Sequence, residues 1–166
     1  ADLFDRLERE REAVLARDPG LLAELIKRSC EIKAEVVRLD EREGGLRAIL
    51  NFGHTVGHAI EKVARYGAYL HGEAVSVGMV YAAALSREQA GMPAAEAERV
   101  GALLGAYGLP VRASECQWPD LRQAVGVDKK SVGAAPRFVL AEGIGSVRFG
   151  CTVDEEALAA AWAAMA

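Results

Sequence analysis

The stretch from Leu46 to Glu61, LRAILNFGHTVGHAIE, restricts this chain more than any other. Its apolar positions, Leu50, Phe52, Val56, Ala59 and Ile60, fit a helix covered over much of its surface. Gly53 and Gly57 interrupt that pattern, and each costs about 1 kcal/mol of helix stability against Ala. Glycines tolerated at that cost point to something approaching the helix closely, either another helix or a ligand. Read as one continuous helix, the stretch sets Arg47, Asn51, His54 and His58 at spacings of four, three and four, along one face. A solvated face more often carries Glu, Lys and Gln, so a cation, an amide and two imidazoles read as an enclosed polar stripe.

The third and last histidine of the chain, His71, follows in LHGEAVSVG. A lone histidine is more often a core residue satisfied by backbone groups. Three on adjacent elements, beside Asn51 and Glu73, favour a metal site or an acid/base site. His54 and His58 could bind an ion together, as in an HExxH helix, but no Glu stands between them. Alternatively, one of the two binds with His71 while the other works on a substrate. Spacing does not choose between these.

The remaining chain reads as mainly α. An amphipathic helix is expected over residues 1–17, with Leu3, Phe4, Leu7, Val14 and Leu15 inward, broken by Asp18-Pro19-Gly20. With Asp18 as N-cap, a second helix over 20–39 is expected to bury Leu21, Leu22, Leu25, Ile26, Ile32, Val36 and Val37. Lys33 lies on or near that apolar face, and by itself reads as a stem on the core with its head in water. DEREGG, residues 40–45, is a charged turn, and 63–70 a loop around Gly67. The apolar run 74–85 is a buried helix with His71 at its N-terminal end. Further helices are expected at 94–107, 119–126 and 153–165, the last capped by Thr152 or Asp154. RFVL (137–140) and SVRFG (146–150) flank a glycine-bearing turn and read as a small β-hairpin.

Composition excludes several functions. A net charge of −4 and 6% aromatic residues argue against nucleic acid and anionic membrane surfaces as partners. No apolar run reaches the ~20 residues a membrane span needs, and the charged start, ADLFDRLERERE, is no signal peptide. Three dispersed cysteines, Cys30, Cys116 and Cys151, without a CxxC, fit free thiols and a cytoplasmic protein. The length suits one domain, residues 1–166. Lys33, Arg47, Lys129 and Lys130 are candidate contacts for a phosphate or carboxylate. Neither GxGxxG nor GxxxxGK[ST] occurs, so no nucleotide-binding module is recognisable.

Taken together, K33-x13-R47-x3-N51-F-G-H54-T-x-G-H58-A-I-E61 and L70-H-G-E-A-V-S-V-G-M79 closely resemble the 3-dehydroquinate synthases, sugar-phosphate cyclases of the shikimate pathway. The match extends from about residue 20 through Asp128-Lys129-Lys130 to the hairpin. The resemblance implies the helical C-terminal domain of such an enzyme, whose NAD-binding N-terminal domain is not in this chain. It implies a zinc (or cobalt) ion held by His54, His71 and a Glu of an E-x-x-K segment absent here. His58 takes the place of the proton-transferring residue. Lys33, Arg47 and Asn51 match substrate-binding positions, Glu43 a further active-site carboxylate, and Lys129 or Lys130 another substrate contact. The implied reaction converts a seven-carbon keto-sugar acid 7-phosphate to 3-dehydroquinate and phosphate, with NAD transiently oxidising a ring alcohol. The resemblance also implies a homodimer for the full-length enzyme, and little or no activity for this chain alone. Other readings are a sister cyclase acting on another sugar phosphate, a helical metal-dependent hydrolase using all three histidines, and, last, a non-catalytic interaction module.

Overall fold

The computed structural model describes residues 1–42, 45–64, 68–127 and 136–165. Within them the chain forms eight α-helices, one 3-10 turn and one two-stranded antiparallel sheet. Helices α1 (Asp2–Arg9) and α2 (Arg11–Leu15) replace the single helix expected at the start. Glu10 leaves helical geometry between them, at φ −101° and ψ 18°. Helix α3 (Pro19–Leu39) starts as its sequence predicts, with Asp18 Oδ1 accepting the Leu21 N–H at 2.8 Å.

The apolar face expected of α3 is only partly covered, with Leu21, Leu22, Val36 and Val37 half-buried. Leu25 is its one buried residue, while Ile26 is 62% and Ile32 39% exposed. The helix leans on α2 and the 3-10 turn at Leu46–Asn51, and these reach only one side of it.

The layout of the site depends on helices α4 (His54–Val63) and α5 (His71–Gln89). Helix α5 is the central element, packed against α4, α6 (Ala94–Ala106), strand β1 (Phe138–Gly143) and α8 (Glu155–Ala163). Its Ala74, Val77, Tyr81 and Leu85 are almost wholly buried beside Val56 and Ile60 of α4, Leu121 of α7 (Trp118–Val127) and Leu158 of α8. Tyr81 also stacks on Trp118 at 5.9 Å between ring centroids and donates its hydroxyl to the Leu158 carbonyl at 2.9 Å.

The hairpin forms where expected. Strand β2 (Ser146–Cys151) pairs with β1 through a two-residue turn at Ile144 and Gly145, the latter at φ +94°. Phe138 to Ala141 face the core and β2 lies outside. Ser86 ties this hairpin to α5, because its buried hydroxyl accepts the Ala141 N–H at 2.8 Å and donates to the Ala82 carbonyl. Ser86→Ala leaves that buried N–H without an acceptor and is expected to cost about 1–3 kcal/mol. Urea unfolding, read at the midpoint with an unchanged slope, measures the loss.

Candidate functional site

The stretch read as one helix is two elements. Leu46–Asn51 is a 3-10 turn, Phe52 is extended (φ −55°, ψ 122°), and Gly53 sits at φ +81° before α4 starts at His54. The Asp40 carboxylate anchors the first element by accepting the Gly45 and Arg47 backbone N–H groups, each at 2.9 Å. The break follows from packing. A Cβ on Gly53 would lie 2.6 Å from the Met79 backbone nitrogen of α5, and one on Gly57 would lie 3.0 Å from Val75 Cα. The close approach signalled by these glycines is therefore by a helix, α5, which offers its own Gly78 at the crossing.

This crossing brings the three histidines together. Ring centroids are 5.6 Å apart for His54 and His58, 5.5 Å for His54 and His71, and 5.7 Å for His58 and His71. His71 is the first residue of α5, and its Nδ1 lies 3.2 Å from Glu61 Oε1 and 3.3 Å from Oε2. His54 Nδ1 lies 3.3 Å from the Phe52 carbonyl oxygen, to which it can donate, which leaves Nε2 free. Burial pushes the His54 ring below the usual histidine range, against the opposing pull of that carbonyl; the neighbouring His58 and His71 rings lower it further. A ring held neutral is a ring able to ligate a metal. Donor atoms of His58, Glu61 and His71 also lie within 4.8 Å of one another. His58, Glu61 and His71, on two packed helices, fit a borderline-soft divalent ion such as zinc or cobalt, and the His54 ring stands beside them, 5.5 Å from that of His71.

Two adjoining cavities open beside the rings. One, of about 530 Å³, is lined by Asn51, His54, His58, Glu61, Lys62 and Arg137. The other, of about 430 Å³, is lined by Lys33, Arg47, Asn51 and His54. Asn51 and His54 are common to both, so Lys33, Arg47, Asn51, His54 and His58 share one cleft although no single helix face carries them. Glu43, Lys129 and Lys130 lie outside the described residues. Glu73, read with the site, instead caps its own helix: its carboxylate accepts the Leu70 N–H at 2.8 Å.

Sequence reading missed Arg137, Lys62 and the role of Glu61. Arg137 reads in sequence as the head of a strand, yet it reaches the cleft and donates to the Gly150 carbonyl at 3.0 Å. Its one signal is a cation directly before a fully apolar run. Glu61 carries a clearer signal, being three residues beyond His58 on the same helix.

A helical domain that folds two glycine-matched helices around a histidine cluster, beside a cleft lined by cations, defines the class of architecture. Two solved structures share the fold. A 2-epi-5-epi-valiolone synthase from Streptomyces hygroscopicus, with NAD+ and Zn2+ bound, superposes on 99% of this chain and 46% of its own, with TM-score 0.86 and 28% identity. A 2-deoxy-scyllo-inosose synthase complexed with carbaglucose-6-phosphate, NAD+ and Co2+ covers 78% of this chain and 37% of its own, with TM-score 0.68 and 28% identity. The chain belongs to the 3-dehydroquinate synthase C-terminal family, whose model matches residues 1–131. It is 48% identical over 153 residues to the 3-dehydroquinate synthase of Nitrosomonas europaea, covering 92% of this chain and 42% of that protein. It is 52% identical over 143 residues to that of Acidithiobacillus ferrooxidans, covering 86% of this chain and 39% of that one. The chain thus spans about two fifths of the length of these relatives.

Proposed function

We propose that residues 1–166 are a single metal- and substrate-binding domain of a 3-dehydroquinate synthase, a phosphate-eliminating lyase. Its substrate is 3-deoxy-arabino-heptulosonate 7-phosphate and its products are 3-dehydroquinate and phosphate. The observation that carries this reading is the meeting of three imidazoles, within 5.5–5.7 Å of one another, at a cleft lined by Lys33, Arg47 and Asn51. The relatives at 48% and 52% identity favour this synthase over a sister cyclase, for which the structural neighbours stand at 28%.

His54 and His71 are the assigned ligands, from neighbouring helices, and each has its Nδ1 turned to an acceptor so that Nε2 is left for the ion. Zinc or cobalt, when bound, supplies a Lewis acid for the substrate's hydroxyl and ketone oxygens. His58 stands exposed at the same rim and moves a proton at its ring nitrogen. Lys33 and Arg47 hold the phosphate and carboxylate as paired cations, and Asn51 orients ring hydroxyls with its amide. Glu43 and one of Lys129 and Lys130 complete the substrate contacts. Arg137 adds a cation on the opposite wall.

The described residues do not fit NAD by themselves. Their two strands form an antiparallel hairpin, with no glycine-rich strand-to-helix turn to cradle a pyrophosphate. NAD is therefore assigned to the part of the enzyme corresponding to the remaining length of the relatives. A cytoplasmic homodimer is the setting we assign. Three free thiols fit the reducing compartment named in that setting.

The enzyme carrying this chain, assayed with NAD, zinc and the 7-phosphate, is expected to form 3-dehydroquinate and phosphate in equal amounts. The 166-residue chain alone is expected to turn over little or none. Preference for another sugar phosphate, or phosphate release without the carbocycle, overturns the assignment. His54→Ala is expected to abolish stoichiometric zinc, measured by metal analysis after dialysis.

A further inference from the structure

Glu61 is a half-buried carboxylate, its side chain 19% exposed, and it faces the half-exposed ring of His71 across the seam between α4 and α5. Both carboxylate oxygens lie within 3.3 Å of Nδ1, and among the described residues His71 is the hydrogen-bonding partner this carboxylate has. An unprotonated Nδ1 there would set its lone pair against a negative charge. The stable neutral arrangement has the proton on Nδ1, donated to the carboxylate, with the lone pair on Nε2. Free imidazole side chains prefer the opposite tautomer, so the partner decides which nitrogen can ligate. The same hydrogen bond fixes the ring plane of a residue that otherwise stands at the frayed first position of its helix.

From this geometry we infer that Glu61 is the positioning residue of the metal centre: it fixes the tautomer and orientation of His71 so that Nε2 faces the ion. The inference rests on the assignment of His54 and His71 as ligands, and deepens it. It places Glu61 behind a ligand and not on the metal, although its carboxylate falls close enough to the donor atoms of His58 and His71 to suggest a direct bond. The distinction follows from the side of the ring it occupies. A carboxylate bound to the Nδ1 edge leaves the Nε2 edge to the ion, and an outer-shell partner of this kind strengthens a metal–imidazole bond.

The test uses Glu61→Gln, Glu61→Ala, His54→Ala and His71→Ala. The first readout is the ring tautomer of His71 in the metal-free enzyme carrying this chain, from long-range 1H–15N correlations at a pH where the ring is neutral. Wild type is expected to carry the proton on Nδ1. Glu61→Ala is expected to shift the population toward Nε2–H, and Glu61→Gln, whose amide oxygen still accepts, to keep Nδ1–H. The second readout is zinc affinity of the enzyme carrying this chain, by chelator competition. Glu61→Ala is expected to weaken zinc roughly 10- to 100-fold, and Glu61→Gln to recover most of that loss. An unchanged tautomer and unchanged affinity in Glu61→Ala, with zinc still lost in His54→Ala and His71→Ala, overturn the role of Glu61 alone. Loss of zinc in Glu61→Gln as complete as in His71→Ala makes Glu61 a ligand and also overturns it. Zinc retained in His54→Ala overturns the underlying ligand assignment instead. Far-ultraviolet circular dichroism on each variant separates these results from unfolding.

Discussion

Replacing His58 by alanine in an enzyme carrying this chain is expected to lower kcat by about 10²- to 10⁴-fold, the range contributed by a positioned general acid or base. Zinc is expected to stay bound at full stoichiometry. The pairing of those two results is informative because all three rings lie almost equally far apart, at 5.5–5.7 Å. Distance alone gives His58 no different status from His54. What separates them is environment. His54 is partly buried, with its Nδ1 committed to the Phe52 carbonyl, while His58 is exposed at the cleft. A committed ring suits a ligand, and an exposed ring next to open volume suits proton traffic. Loss of zinc along with rate would instead place His58 in the ligand set, beside His54 and His71.

The second large effect is expected far from any reacting atom. Gly78→Val on α5 is expected to destabilise the chain by about 3 kcal/mol, the upper end for overpacking a tight contact, and to weaken zinc in parallel. A Cβ at residue 78 would run into the Gly53 carbonyl oxygen and stand 2.9 Å from the Gly57 backbone nitrogen. Neither neighbour is a side chain that can swing away, so the helices themselves must separate. Even Gly78→Ala, which gains about 1 kcal/mol of helix propensity, is expected to be a net loss because backbone has to move. Since α4 carries His54 and His58 and α5 carries His71, separation spreads the histidine cluster directly. For a chain of this size, a loss of about 3 kcal/mol lowers Tm by roughly 6–12 °C. A zinc affinity that survives such a shift would uncouple the crossing from the site.

Much of this was legible beforehand, residue by residue. Asp18 caps its helix as its type and place require, and Asp154 does the same, accepting the Ala157 N–H at 2.8 Å. The hairpin follows from two short apolar runs about a glycine, and the central helix from an apolar run opened by His71. Gly53 and Gly57 announced a close approach, and Gly78 met it. The failures share one cause. Helical spacing was extended through Gly53, where the φ of +81° required by the α5 crossing ends the element. The period of Ile26 and Ile32 places them in a core, but among the described residues they stay 62% and 39% exposed.

The sequence by itself determined the ingredients: three histidines on adjacent segments, glycines where two helices meet, and a motif distinctive enough to place the chain in its family. Spacing along one segment is local, and backbone geometry translates it into a shared face without reference to the rest of the molecule. Only the tertiary structure decided that Glu61 would meet His71 across a seam, that Arg137 would arrive from the hairpin, and that Lys33 would share a cleft with Arg47 and Asn51. Those proximities join residues distant in sequence. The first of them is set by how closely α4 and α5 can pack, a contact permitted by backbone atoms that carry no side chain and therefore leave no pattern of polarity to read.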